Sequence, residues 1–425
     1  MSFALGVLPV ALLLLGFPIY LVLLTAVSVA LIFYMNVPLV VLHQNLFGAI
    51  DAFALLAVPF FIYAGELMSR GSVAQRIVDF VQAGVGRVPG SLGVTTVGTS
   101  AIFGAISGAS AATVATVGKA MLPAMRRAGY PEPFAAGLIT AVGAIDIIIP
   151  PSIPLIVYGM AAQESVPRLY AAGVLPGLLI AGLLAIYVVW TARRQGFEVG
   201  SPFQLSAFLG AAARGAWALG APFIILGGIY GGIFSPTEAA AVACVYAALV
   251  TWVVFRELGW SDVVEAAAST ALFTGQVLII VACAGVFAWL LTVQQVPQAL
   301  VAWIQSLGVS QGEFLLVANV LLLLVGCFLD PLSAILLLTP LLIPVVKALG
   351  IDTVHFGIVV TVNLAIGLFH PPFGINIFVA QSALGLKLEV IYRGIVPFIV
   401  IYLGALALIT YVPQISLAGV RWFLL

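Results

Sequence analysis

Two proline pairs, Pro150-Pro151 and Pro371-Pro372, lie deep inside apolar runs of a 425-residue chain, 221 residues apart. Proline has no backbone N–H and its ring clashes with the preceding helical turn, so each pair breaks the helix that contains it. In a helix the N–H at position i bonds the carbonyl at i−4. The first pair therefore deprives the carbonyls of Asp146 and Ile147 of partners, and the second those of Gly367 and Leu368. Hydrocarbon supplies no replacement donor, so such breaks persist only where protein, a cavity or a bound ion satisfies them.

The runs face lipid because the composition leaves no alternative. With 63% hydrophobic and 7% charged residues and a mean hydropathy of +1.25, the chain has more apolar surface than a soluble core buries. Runs of spanning length fall near 3–34, 52–69, 73–90, 132–163, 169–192, 217–254, 264–292, 296–308, 354–385 and 394–413. Two others, 91–126 and 313–346, carry small or polar residues at their centres and read as re-entrant helical hairpins. Segments 38–50 and 202–215 mix polar and apolar residues as interfacial helices do. The expected class is an all-α polytopic membrane protein in a lipid bilayer. The first Lys or Arg is Arg70 and the opening run exceeds a signal-peptide core, so that run reads as a membrane segment. Zero formal net charge excludes a nucleic-acid surface. Cys244, Cys283 and Cys327 have no CxxC spacing and read as core residues. His43 and His355 read as interfacial.

The halves repeat. Pro18 pairs with Pro236, Gly65 with Gly285 and Gly104 with Gly326 at offsets of 218 to 222, and the Leu122-Pro123 stretch matches Ile343-Pro344 at 221, the offset of the proline pairs. The expected organisation is a first repeat over 1–200, an interfacial linker helix over 201–216 and a second repeat over 217–425. Five crossings plus one hairpin in each half would make the repeats inverted. Placing both ends of the first hairpin in the cytoplasm puts Arg87, Arg126, Arg127, Arg193, Arg194, Arg214, Lys387 and Arg393 inside. Arg70, Arg168, Arg256, Lys347 and Arg421 then lie outside, in keeping with the positive-inside rule and with both termini periplasmic.

The freed carbonyls lie at half-helix ends, where negative partial charge and oxygen ligands suit a hard cation such as Na⁺. The first hairpin tip, Gly104 to Thr113, offers small residues and the hydroxyls of Ser107 and Ser110, and a half-helix N-terminus there favours an anionic group. At the second tip Asp330 precedes Pro331 and reads either as a helix cap or as a functional carboxylate. Ser152, Asn363 and Asn376 flank the breaks and serve either interhelical packing or ligands. His370 lacks a metal-binding pattern, so its backbone carbonyl is the atom of interest. No nucleophile and base stand in a catalytic motif, which argues against an enzyme, and two short polar patches do not make a channel.

The stretches FGAISGASAATVATVG (103–118), IIIPPSIPLIVYG (147–159), GGIFSPTEAAAVA (231–243), FLDPLSAILLLTPLLIPV (328–345) and VHFGIVVTVNLAIGLFHPPFGINIFVAQS (354–382) resemble the large membrane subunit of tripartite ATP-independent periplasmic (TRAP) transporters. The resemblance implies Na⁺-driven uptake of small organic anions such as C4-dicarboxylates or sugar acids across the bacterial inner membrane. It further implies a periplasmic substrate-binding protein and a small four-helix membrane subunit as partners, and an inverted-repeat elevator fold whose scaffold includes 3–69 and 217–292. A stand-alone sodium/anion symporter of related architecture is the alternative. By the resemblance, the second-half sodium site comprises Gly326, Gly367, His370 and Phe373, and by the internal symmetry a first-half site would use Gly104 or Ser107, Asp146, Ile149 and Ser152. Substrate would lie near Ser107, Gly108, Ser110, Ser152, Asp330 and Asn376. The chain departs from the family pattern at Ala109, where a second serine is common, and at Asp146, where glycine is usual. Asp146 is expected to offer a carboxylate to Na⁺, to face water or a polar partner, or to favour a zwitterionic substrate.

Overall fold

The structure, a computed structural model, describes residues 1, 3–35, 37–38, 40–197 and 199–424. Among these, seven helices are long and apolar enough to cross a membrane, and a lone bridge between Pro89 and Val199 is the only β pairing. The prolines break helices where the i−4 rule requires. The first break separates Glu132–Val142 and a 3₁₀ turn, Gly143–Ile147, from Ile153–Ala162; the second separates Thr353–Gly367 from Ile375–Leu384. Both proline pairs have cis linkages.

Each hairpin is a helix–turn–helix unit, Ser91–Ser107 with Ser110–Arg127 and Gln311–Gly326 with Pro331–Ala348. The first turns at Gly108, whose φ of +59° is a left-handed conformation that glycine adopts without a side-chain penalty. The second turns at Asp330, whose carboxylate accepts the N–H groups of Leu332 and Ser333 at 3.1 Å, with Pro331 at the first helical position. Each hairpin's first helix packs on the broken helix of its own half, and its returning helix packs on the broken helix of the other half. Ser110–Arg127 thus meets Ile375–Leu384, and Pro331–Ala348 meets Ile153–Ala162. The repeats are interlocked at their breaks.

Around this centre, Ala57–Arg70 packs on Pro236–Ala248, and Trp260–Val293 packs on Ile19–Ala30, Val40–Ile50 and Ala57–Arg70. Glu257, in the turn before Trp260–Val293, ties this layer together. It accepts Ser72 N–H at 2.7 Å and Ser72 Oγ at 2.5 Å, and pairs with Arg76 at 3.3 Å. Partial burial would raise the Glu257 carboxyl, but the hydrogen bonds from Ser72 and Arg76 outweigh it and hold the group below its ordinary value. The stabilisation is therefore complete above the unfolded value of about 4.3 and is lost as pH falls through the lower folded value. The melting-temperature gap between wild type and Glu257→Gln is expected to close as pH falls from about 7 to about 3. A gap that stays constant over that range would contradict the tie.

Four sequence expectations change. Run 217–254 is two helices, because Ser235 and Glu238 form a capping box that starts a new helix at Pro236. The segment 201–216 is not a separate linker helix: residues from Leu205 continue without a break in Leu205–Tyr230. Runs 73–90 and 296–308 form helices of only 13 and 11 residues, Val73–Val85 and Val296–Ser306, well short of the roughly 20 residues a bilayer needs. His355 is buried in the first turn of Thr353–Gly367, where the helix Gln414–Leu424 folds back beside it and Ser416 Oγ and the Thr410 carbonyl lie 3.3 and 3.2 Å from its ring nitrogens. His43 is exposed.

Candidate functional site

Two of the four carbonyls freed by proline are repaired by protein. Ser152 Oγ donates to Ile147 O at 2.5 Å, and Asn376 N–H donates to Leu368 O at 2.9 Å. The carbonyls of Asp146 and Gly367, the matched pair, accept no protein hydrogen bond. Asp146 itself packs against Gly104, in the last turn of the first hairpin's first helix, and Gly367 packs against Gly326, which ends the first helix of the second hairpin. A Cβ built on Gly104 would come within 2.7 Å of Asp146 Cγ and 2.9 Å of its Cα, and one built on Gly367 within 2.7 Å of the Gly326 carbonyl carbon. These contacts are too close for any side chain larger than hydrogen.

The second-half residues surround a cavity of about 80 Å³ lined by Gly326, Asp330, Gly367 and Phe373 among others. His370 is not in its wall; its carbonyl accepts Gly374 N–H at 3.1 Å, and its ring Nδ1 lies 3.2 Å from Cys327 Sγ. In the first half, Ile149 and Ser152 are buried beside the break, and Ser107 is capped inward, its hydroxyl 3.2 Å from Ala109 N. Asp146 is wholly buried. Thr113 Oγ1 donates to its Oδ2, while Oδ1 has no partner. Thr113 is thus the polar partner anticipated for Asp146.

A larger cavity of about 340 Å³ lies between the two hairpin tips. Gly108, Ser110, Asp330 and Asn376 line it as the sequence suggested, whereas Ser107 and Ser152 do not. Both of those serines spend their hydroxyls on neighbouring backbone. Asp146 is also absent from the wall; Asp330 is the carboxylate that lines the cavity. Ser110 and Asn376 hydrogen-bond each other at 2.8 to 3.0 Å, and Asn376 reaches Thr140 O at 3.2 Å. Sequence reasoning missed the opposite wall, Phe273, Gln276, Val277 and Ile280 of Trp260–Val293. Gln276, a polar residue in the middle of an apolar span, was the available signal.

Interlocked hairpins and broken helices thus surround the cavity. Residues 6–415 match the family model of the tripartite ATP-independent periplasmic transporter, DctM component. The chain belongs to this family. The permease is similar to the C4-dicarboxylate TRAP transporter large permease protein DctM of Pseudomonas aeruginosa, with 41% identity over 378 residues covering 89% of this chain and 88% of that one. It is also similar to the ectoine TRAP transporter large permease protein TeaC of Halomonas elongata, with 40% identity over 415 residues and 96% coverage of both. These relatives are named as transport permeases, and the DctM-family chain is likewise a permease and not an enzyme. Among solved structures, the Alcanivorax borkumensis YdaH transporter superposes with a TM-score of 0.61 over 87% of this chain and 86% of that one, at 16% identity. At that identity the likeness shows the helical transporter fold alone.

Proposed function

We propose that the permease carries a small organic anion, a C4-dicarboxylate or sugar acid, across the bacterial inner membrane by sodium-coupled uptake. The observation that carries this reading is the pair of unbonded carbonyls at Asp146 and Gly367, at matched helix breaks whose next residues, Ile147 and Leu368, line the inter-tip cavity. Carbonyl oxygens left without donors in hydrocarbon fit a hard cation that needs oxygen ligands. Asp146, Gly104, Ser107, Ile149 and Ser152 would hold one sodium ion, and Gly326, Gly367, His370 and Phe373 a second. Bound sodium would offset the charge of an anion in a cavity whose wall contains no Lys or Arg.

The re-entrant hairpins and broken helices would move together as an elevator against the layer built on Ala57–Arg70 and Trp260–Val293. Family membership supports two partners, a small membrane subunit and a periplasmic binding protein that delivers substrate. Names of relatives with dicarboxylate and ectoine substrates support a small polar solute as cargo. Both termini would face the periplasm, so a green fluorescent protein fused at the C-terminus is expected to stay dark in cells.

The decisive experiment is uptake into proteoliposomes containing the permease and its small subunit, with and without binding protein and an inward sodium gradient. Uptake that needs both is expected. Full uptake by the permease alone would refute the tripartite reading, and uptake indifferent to sodium would refute the coupling. In the same assay Gln276→Ala, which removes one polar group from an exposed cavity wall, is expected to lower uptake about tenfold through the loss of one hydrogen bond to cargo. Its melting temperature is expected to stay at the wild-type value; unchanged uptake would remove Gln276 from the substrate site.

A further inference from the structure

The proline breaks match in sequence, but their oxygens do not. In the second half Cys327, Phe328 and Leu329 donate their N–H groups to carbonyls at Leu323 to Val325, so the Gly326 carbonyl accepts no hydrogen bond and lies directly against Gly367. In the first half the equivalent Gly104 carbonyl is occupied, because Gly108 N–H bonds it at 3.0 Å. The left-handed turn at Gly108 makes that bond, and the Asp330 turn makes no counterpart. The first half therefore lacks the free hairpin oxygen that the second half has.

In its place stands a side chain. Asp146, where the second half has Gly367, projects its carboxylate against Gly104, and Oδ1 is fully buried without a hydrogen-bond donor while Thr113 serves Oδ2. One half offers a free carbonyl facing a bare glycine; the other offers a free carboxylate oxygen beside a glycine whose carbonyl is occupied. Given the sodium coupling proposed above, on which this step rests, we propose that the Asp146 carboxylate supplies to the first-half cation site the oxygen that the Gly326 carbonyl supplies to the second. Asp330 also lines the second-half cavity, but its oxygens already accept from Leu332 N–H, Ser333 N–H and Ser333 Oγ, so only the first site has a buried carboxylate oxygen left free for a cation. A buried carboxylate left without a donor is costly, and a bound cation removes that cost where a glycine would have none to remove. The first-half site consequently fills at lower sodium concentration than the second.

The test is the melting temperature of the purified full-length permease titrated with NaCl, choline chloride holding ionic strength constant. Two variants are compared with wild type. Asp146→Asn keeps the volume and a partner for Thr113 but removes the charge; Asp146→Gly copies the second half and serves should the amide fail to fold. Wild type is expected to show a sodium-specific rise with an early, high-affinity component, and both variants to lose it, with half-saturation moved up tenfold or more. A response in Asp146→Asn identical to wild type would overturn the proposal, leaving Asp146 a structural partner of Thr113, as would an unchanged response in Asp146→Gly. A wild-type protein that responds to sodium no better than to choline would overturn the sodium reading itself.

Discussion

Gly367→Ala is expected to lower uptake more than a hundredfold and to cost about 1–3 kcal/mol of stability, the range for forcing a methyl into a packed site. Its Cβ would lie 2.7 Å from the Gly326 carbonyl carbon and 2.9 Å from Gly326 Cα. Both obstacles are backbone, so no side chain can rotate away, and the ends of Gln311–Gly326 and Thr353–Gly367 must separate. That separation also takes the free Gly326 oxygen away from the small cavity it lines. The matching control is Gly404→Ala in Leu388–Tyr411, where an added Cβ meets nothing within 4 Å. There the higher helix propensity of alanine is expected to leave stability unchanged or raise it by up to about 1 kcal/mol, with uptake intact. Melting curves and sodium-dependent uptake check both. A Gly367→Ala protein with wild-type values would mean that the two helix ends do not approach as described.

Much of this architecture is legible in the sequence because membrane burial makes local rules strict. Proline in an apolar run has one consequence, and the i−4 rule named the carbonyls of Asp146 and Gly367 correctly. It could not say which freed carbonyls the protein itself would repair. The partners of Ile147 and Leu368 are Ser152 Oγ, folded back five residues, and the backbone N–H of Asn376, and both depend on how the chain turns after its prolines. Helix boundaries were less legible where apolar character runs straight through a turn, as at 231–235. There Gly231-Gly232, Pro236 at the first helical position and the Ser235–Glu238 capping box mark the new start within a run that stays apolar on either side. Ser107 and Ser152 read as cavity residues because a hydroxyl at a tip can point either way; in the fold both turn to local backbone. The wall formed by Phe273 to Ile280 was hidden for a different reason. It comes from an unbroken helix, Trp260–Val293, brought to the tips only by tertiary packing.

Asn376 is the residue through which the two halves constrain each other. Ser110 belongs to the first hairpin and Asn376 to the second broken helix, 266 residues away, and both side chains are buried. Asn376→Leu keeps the volume but leaves Ser110 Oγ without its partner, a loss expected to cost about 1–3 kcal/mol. Because both residues also line the inter-tip cavity, uptake is expected to fall at least tenfold. The discriminating measurement is the cycle with Ser110→Ala. If the hydrogen bond is the link, the double variant should be more stable than the sum of the single losses predicts, by about 1 kcal/mol. Losses that add to within about 0.5 kcal/mol would show two independent polar side chains. A positive coupling has a mechanical consequence. The first hairpin cannot tilt away from Ile375–Leu384 without breaking this bond, so a shift of the first hairpin must strain the broken helix of the other half through Ser110 and Asn376.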